Sequence, residues 1–349
     1  MSWQRERSSL SLNGMSDIRG LHHVTCIAGD AQENVDFYNG VLGMRLVKKS
    51  VNQDSPGTYH LFYADGDGHP GTDITFFPWP EMPPAKAGTG LSMEVSLAVP
   101  LGSLDYWSDR LAEHGVPVGQ VEMRRQTAAL PFSDPHGLPV TLHETADERV
   151  FTPWSGSPVP AERQIRGLHS VRLWERDLAA TAAFLTGVLG FVDLGQDTVS
   201  RLREGAEESD VVPEVWTAFG VEGGASGCYV EIQEIPDAER GRWGTGGVHH
   251  VAWRVPDVDT ELQVRERIER AQRRPTEVID RFWFKSVYCL EPGGVLFELA
   301  TDGPGFAVDE DPATLGEHLV LPPWLESHRK EIESQLPPLQ APLTHPVTG

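Results

Sequence analysis

The feature that most constrains this chain is a repeat inside it. Residues 20–46, GLHHVTCIAGDAQENVDFYNGVLGMRL, align without a gap on residues 167–193, GLHSVRLWERDLAATAAFLTGVLGFVD, at a constant offset of 147 positions. Gly20/Gly167, His22/His169, Val24/Val171, Phe37/Phe184 and the block Gly-Val-Leu-Gly recur in register. A second pair begins at Gly88 (GTGLSMEVSLAVP) and Gly244 (GTGGVHHVAWRVP), offset 156. Further on, Asp134-Pro135-His136-Gly137 matches Glu291-Pro292-Gly293-Gly294 at offset 157, so one residue has been inserted. The chain therefore divides into four modules, about 20–80, 88–145, 166–236 and 244–302. Odd modules resemble odd and even resemble even. A repeated unit of this size cannot bury its apolar face alone, so the modules must pack on one another.

Each module opens with an apolar-rich run that reads as a strand, such as Leu21–Ile27 or Val248–Val255. A helix follows. In module 1, Asp30 and Glu33 form a capping box; Val35, Tyr38 and Leu42 recur at helical spacing, and Gly43 stops the helix. Asp177 and Gly190 take those places in module 3. Two or three strand-like runs then follow, for example Tyr59–Tyr63 and Asp73–Phe77. The unit is βαβββ, and the expected class is α+β, with four such modules forming two incomplete β-barrels that each enclose a cavity. The expected division is an N-terminal extension at 1–17 and an N-terminal domain at 18–150 holding modules 1 and 2. A Pro/Ser-rich linker at 151–165 leads to a C-terminal domain at 166–303 holding modules 3 and 4. A Pro-rich tail at 304–349 carries one helix, Trp324–Leu336.

Charge narrows the partners. With 51 acidic against 29 basic residues the net charge is −22, which disfavours nucleic acid and anionic membrane surfaces as partners. No apolar run approaches the roughly 20 residues of a membrane span. The three cysteines, Cys26, Cys228 and Cys289, are far apart and form no CxxC. That argues against a disulfide framework or a structural zinc site and fits a reducing cytoplasm. The first 14 residues lack the apolar stretch of a signal peptide, and Met15 is an alternative start.

The repeat also points to a site. Residues i and i+2 of a strand share a face, so each module's first strand presents one side chain at a fixed depth. Those side chains are His23, Glu94, Ser170 and His250. On the last strand of module 4, Glu298 stands where module 2 has Thr141, module 3 Glu231 and module 1 Thr75. Only modules 1 and 4 together supply two histidines and a carboxylate. Two imidazoles and one carboxylate on one face of a metal form the ligand set of non-haem Fe(II) sites that handle O2; zinc and manganese also suit it. The competing reading makes these histidines ordinary strand residues. If they do share one metal, module 1 must pair with module 4 and module 2 with module 3. The second cavity would then hold Ser170, Glu94, Thr141 and Glu231 and no imidazole. A domain-swapped dimer meets the same constraint.

Tyr288 and Glu298 lie symmetrically about Gly293, so a hairpin there sets them opposite each other on adjacent strands. A phenol so placed can exchange protons with bound oxygen species; otherwise it is a core tyrosine. The run Asp65-Gly-Asp-Gly-His lacks calcium-loop spacing and reads as a turn. The acidic run Glu204, Glu207, Glu208 and Asp210 reads as a solvated loop. No phosphate-binding glycine loop, nucleophile elbow or HExxH motif is present.

These modules resemble the vicinal oxygen chelate superfamily of glyoxalases, bleomycin-resistance proteins and dioxygenases. The similarity is greatest to bacterial ring-cleaving dioxygenases of the hydroquinone 1,2-dioxygenase type. It rests on Gly20-Leu-His-His-Val-Thr-Cys, Gly247-Val-His-His-Val-Ala, Ser286-Val-Tyr, Glu291-Pro-Gly-Gly-Val-Leu-Phe-Glu298 and Leu321-Pro-Pro-Trp-Leu, and spans roughly residues 18–337. The resemblance implies Fe(II) on His23, His250 and Glu298, with His22, Thr25, His249, Arg281 and Tyr288 as surrounding catalytic residues. Strict alternation turns His22 and His249 away from the site, so each needs a bulge to reach it. The segment Asp280-Arg-Phe-Trp-Phe-Lys departs from the family pattern in length and residues, which bears on Arg281. The implied activity is ring cleavage of an aromatic diol of the hydroquinone type with O2, in a cytoplasmic homo-oligomer, dimer or tetramer. A catechol extradiol dioxygenase, a glyoxalase-like metal enzyme without O2 and a non-catalytic binding or resistance protein are the alternatives on the same scaffold.

Overall fold

The computed structural model describes residues 17–201 and 212–340. The extension before Asp17, with Met15, and the acidic run from Glu204 to Asp210 lie outside the described residues, as do the final nine. Module 1 comprises β1 (Leu21–Ala28), α1 (Ala31–Val35), β2 (Arg45–Val51), β3 (Tyr59–Ala64) and β4 (Asp73–Pro78). Module 2 comprises β5 (Leu91–Pro100), α2 (Leu104–Glu113), β6 (Glu122–Arg124), β7 (Thr127–Ser133) and β8 (Pro139–Thr145). In module 3 they are β9 (Gly167–Glu175), α3 (Leu178–Gly187), β10 (Val192–Arg201), β11 (Val212–Gly220) and β12 (Tyr229–Glu234). Module 4 has β13 (Gly247–Val255), α4 (Val258–Arg270), β14 (Ile279–Asp280), β15 (Lys285–Leu290) and β16 (Leu296–Thr301). All four are βαβββ units.

The helix signals act as expected. The Asp30 carboxylate accepts from the Gln32 and Glu33 amides, and that of Asp177 accepts from Ala180. Gly43 and Gly190 end their helices at φ +70° and +77°, the left-handed region that glycine enters at no steric cost. After α1 the chain widens into a π-helical turn over Asp36–Val41 before Gly43 stops it.

Among the described residues two eight-stranded sheets result, in the orders β14-β15-β16-β13-β1-β4-β3-β2 and β10-β11-β12-β9-β5-β8-β7-β6. The first joins module 4 to module 1 and the second joins module 3 to module 2, as a shared metal site requires. In each, the modules meet through their first strands, paired antiparallel: β1 with β13 and β5 with β9. The second sheet curls until its edges β10 and β6 approach, where the Arg125 amide donates to Asp197 at 2.7 Å. The first sheet is a half-barrel. Every residue of β1 is buried, because its two faces serve different layers. Val24 and Cys26 join the large apolar cluster under the helices, while His23 and Thr25 point to the concave side. Trp107 and Trp253 are fully buried in that cluster, each worth roughly 2–3 kcal/mol of transfer free energy.

The tail crosses back over module 1. Arg45 donates to the carbonyls of Pro312 (3.0 Å) and Ala313 (3.1 Å), the Leu319 backbone bridges Lys49 on edge strand β2, and the Tyr59 hydroxyl donates to the Pro337 carbonyl at 2.8 Å. An edge strand left open would pair with other chains, so the tail covers it. Its helix is shorter than expected. A single 3-10 turn at Glu326–His328 precedes α5 (Arg329–Gln335), because nothing caps an earlier start and only Ile332 is buried to anchor it.

Candidate metal centre

On the concave face of the first sheet, His23 comes from β1, His250 from β13 and Glu298 from β16. Their ligand atoms all lie within 4.8 Å of one another and all three side chains are buried. The two Nε2 atoms are 3.2 Å apart, and Glu298 Oε2 is 2.8 Å from His250 Nε2 and 3.3 Å from His23 Nε2. The Glu298 carboxylate is buried beside the two imidazoles.

The environment fixes which atoms face inward. His22 Nε2 lies 3.2 Å from the Thr301 carbonyl, which can only accept, so that nitrogen carries a proton. Burial and the adjacent His23 push the His22 imidazole down to about 3, so it is neutral and its Nδ1 is bare. His23 Nδ1, 2.9 Å away, must therefore donate to it, which leaves the His23 Nε2 lone pair aimed at the cluster. His249 meets His250 through their Nδ1 atoms at 2.8 Å, which turns the His250 Nε2 toward the cluster. The Ser286 hydroxyl donates to Glu298 Oε1. Oε2 has no hydrogen-bond donor, although it is buried. Two ring nitrogens and a carboxylate oxygen converging at one point fit a divalent cation, and outer partners such as His22 are what orient metal ligands.

His22 and His249 reach these positions by the bulges that alternation demanded. In the β1–β13 ladder the register shifts between Leu21/His23 and between Thr25/Cys26. The unmatched residues are His22 on β1 and His249 on β13. The second sheet shifts at the repeat-equivalent places, with Met93 and His169 unmatched.

The remaining expected residues are also at the cavity or beside it. Tyr288 is paired with Glu298 across β15 and β16, and its ring lies edge-on to His250 at 5.6 Å. Burial, then Glu298, pushes its phenol well up, so it stays protonated near neutrality. Thr25 Oγ1 is 2.8 Å from Thr75 Oγ1, which lies 2.9 Å from His60 Nε2. Arg281 stands at the mouth with its guanidinium 5.4 Å from the Tyr288 ring centre, and ion-pairs with Asp54. The ligand group opens into a cavity of about 370 Å³, its open mouth included. Its walls include Phe62, Phe77, Trp283 and Phe284.

Sequence reasoning missed His60, Phe284 and Asp54. None has a like residue at a repeat-equivalent position; only the hydrophobic alternation of β3 marked His60 as inward. One expectation fails. The second barrel holds imidazoles: His143, on the same strand face as Thr141, contacts the Thr127 hydroxyl at 2.5 Å and packs against His169, ring centres 3.9 Å apart and tilted by 40°. The repeat alignment weighed only the depth of Thr141 and assumed unbroken alternation at His169. Elsewhere, Asp65 is the organiser of its turn, accepting from the Asp67, His69 and Thr152 amides. Cys26, Cys228 and Cys289 are buried free thiols. Among the described residues no helix is long and apolar enough to cross a membrane.

Comparison with known proteins agrees with this geometry. The family model described as Glyoxalase/Bleomycin resistance protein/Dioxygenase superfamily matches residues 20–142 and 167–299. The chain is 41% identical over 329 residues to MhqA of Bacillus subtilis (strain 168), a provisionally assigned ring-cleaving dioxygenase, covering 93% of this chain and 99% of that protein. It is 34% identical over 326 residues to a chlorohydroquinone/hydroquinone 1,2-dioxygenase of Sphingobium indicum, covering 90% and 95%. The crystal structure of a provisionally assigned dioxygenase from B. subtilis superposes with a TM-score of 0.83 at 37% identity, covering 93% of this chain and 99% of that one. Glyoxalase I from Zea mays superposes with a TM-score of 0.58 at 16% identity, covering 81% and 92%, a likeness of fold alone.

Proposed function

The chain belongs to the glyoxalase/bleomycin resistance protein/dioxygenase superfamily, and from that premise we propose that it is an Fe(II)-dependent ring-cleaving dioxygenase acting on hydroquinone-type aromatic diols with O2. The observation that carries this reading is the buried His23–His250–Glu298 group opening into a cavity walled by aromatic side chains. The names of the relatives, a ring-cleaving dioxygenase and a hydroquinone 1,2-dioxygenase, support it.

Bound there, the metal would supply a Lewis acid that lowers the pKa of a diol hydroxyl and a centre at which O2 and ring can be joined. The protein does the rest. The aromatic walls hold the ring flat and exclude water. His22 and His249 hold the ligand imidazoles with Nε2 inward. Tyr288, protonated and beside the ligands, donates a proton to a developing oxyanion at its hydroxyl. Thr25, linked through Thr75 to His60, offers a second polar path at the cavity wall. The three buried thiols support a reducing, cytoplasmic setting, and a homo-oligomer is part of the same reading.

The test is anaerobic purification with Fe(II), followed by oxygen uptake on hydroquinone, methylhydroquinone and catechol. Stoichiometric uptake on the para-diols is the expected result. Uptake on catechol alone moves the assignment to an extradiol dioxygenase; no uptake on any diol, from protein with full iron content, overturns it.

A further inference from the structure

Of the residues lining the cavity, only Asp54 and Arg281 belong to the Asp, Glu, Lys and Arg classes, and they are paired with each other. Arg281 donates to Asp54 through Nη2 at 2.9 Å and Nη1 at 3.3 Å. The pair spans modules 1 and 4 across the mouth. Both sides are held. The Asn52 side chain accepts from the Asp54 and Ser55 amides, closing the loop into a tight turn, and the Gln53 side chain donates to the Arg281 carbonyl at 2.9 Å. On the other side the Arg281 amide donates to the Phe284 carbonyl at 3.0 Å. The partners differ in exposure: the Asp54 side chain is 74% exposed and that of Arg281 is 15%. A largely buried guanidinium directed at the ring-binding cavity is thus neutralised by a carboxylate sitting in solvent.

We infer that Asp54 is a specificity-determining residue: by occupying Arg281 it makes the cavity select uncharged dihydroxy rings over rings that carry a carboxylate. This rests on the aromatic-diol reading for the identity of the ring, but the charge logic needs only an aromatic ligand. If Asp54 is removed, the Arg281 main chain keeps its hydrogen bonds to Phe284 and Gln53, and its guanidinium, still beside the Tyr288 ring, is left without a carboxylate. A ring carboxylate entering the mouth then supplies the missing partner in the same bidentate geometry.

The test is equilibrium binding to the full chain loaded with Zn(II), which holds the ligand group without turnover. Tryptophan fluorescence reports it, Trp283 lying in the cavity wall. The probes are hydroquinone against 2,5-dihydroxybenzoate, and phenol against benzoate. D54N should shift the affinity ratio toward the carboxylated member of each pair by about five- to ten-fold, the scale of an exposed ion pair with one partner partly desolvated. D54E should retain the wild-type ratio, and D54N/R281Q should lose the shift. An unchanged ratio in D54N, or an equal shift in the double variant, overturns the inference. If hydroquinone fails to bind the wild type while D54N gains benzoate, the diol reading falls and the role of Asp54 stands.

Discussion

At repeat-equivalent depths the first sheet carries His23, His250 and Glu298 where the second carries Ser170, Glu94 and Thr141. The backbone frames match down to the bulges, at His22 and His249 in one and His169 and Met93 in the other. The interiors do not. Next to the candidate ligands lie Thr25 and Thr75; at the matching positions the second barrel has Arg172 and Glu231, paired at 3.0 Å and both buried. Glu94, standing in the place of His250, is bound by the buried Arg124, which also pairs with Glu122. In the second interior the carboxylates are already paired with fixed guanidiniums, whereas in the first the His23–His250–Glu298 group could hold a cation. The frame is common property, and the chemistry resides in a few interior side chains.

The largest effects should come from the ligand group. His23→Ala, His250→Ala or Glu298→Ala should each abolish iron retention while circular dichroism shows a folded chain. Ser170→Ala and Thr141→Ala, at the matching places, should leave iron content unchanged. Metal analysis of the purified proteins decides it, and full iron in the Glu298 variant would remove that residue from the site. In the second barrel the vulnerable element is the ion pair. Arg172→Met alone strands a buried carboxylate and should cost about 3–5 kcal/mol in denaturant unfolding. The double variant Arg172→Met/Glu231→Leu should recover most of that loss. If the single variant is as stable as the wild type, the second interior is not held by charge pairing.

Much of this contrast was legible in the sequence. The repeat yields four modules, and the unequal distribution of His23, His250 and Glu298 over them calls for the pairing of modules 1 with 4 if the three share one metal. Tyr288 followed from hairpin symmetry about Gly293. The bulges were not legible, since a β-bulge leaves no fixed residue signature, and period-two alternation points His22 and His249 outward. Asp54 and His60 escaped notice for another reason. They act from a loop and a strand whose repeat partners bear no like residue, so only the three-dimensional fold brings them to the cavity. The same limit hid His143.

Smaller effects sharpen the picture of what surrounds the ligands. Tyr288→Phe should keep the metal but slow turnover by about 10²-fold, the low end for a positioned acid–base group; an unchanged kcat makes the phenol a packing residue. His22→Ala should weaken metal affinity by about 10- to 100-fold, as loss of an outer hydrogen-bond partner does. His169→Ala, its counterpart at the other bulge, should not alter metal affinity. Equal affinities in the two variants would mean that the His22–His23 contact does not orient the ligand.

The smallest expected effect lies at the turns that end the even modules. Asp134 of module 2 accepts from the Tyr38 hydroxyl at 3.2 Å, and Glu291 of module 4 accepts from the Thr181 hydroxyl at 2.8 Å. Near the first turn, β1 ends in Ala28; at the matching place β9 ends in Glu175, buried beside Glu291. Burial, and then the neighbouring Glu291, push the Glu175 carboxyl up to about 9. The folded chain therefore keeps this proton over a range where the unfolded chain, titrating at the ordinary carboxylate value, has lost it. The folded state binds more protons there, so this group makes stability fall as pH rises from about 4.5 through the neutral range. Glu175→Gln fixes the neutral form and removes that slope. The variant should melt with the wild type near pH 4.5 and above it by about 2–5 °C at pH 8, the shift a few kcal/mol gives in a chain of this size. Thermal unfolding at the two pH values measures it. A difference that is the same at both would show that Glu175 is ionised in the folded protein and that the two turns are electrostatically alike.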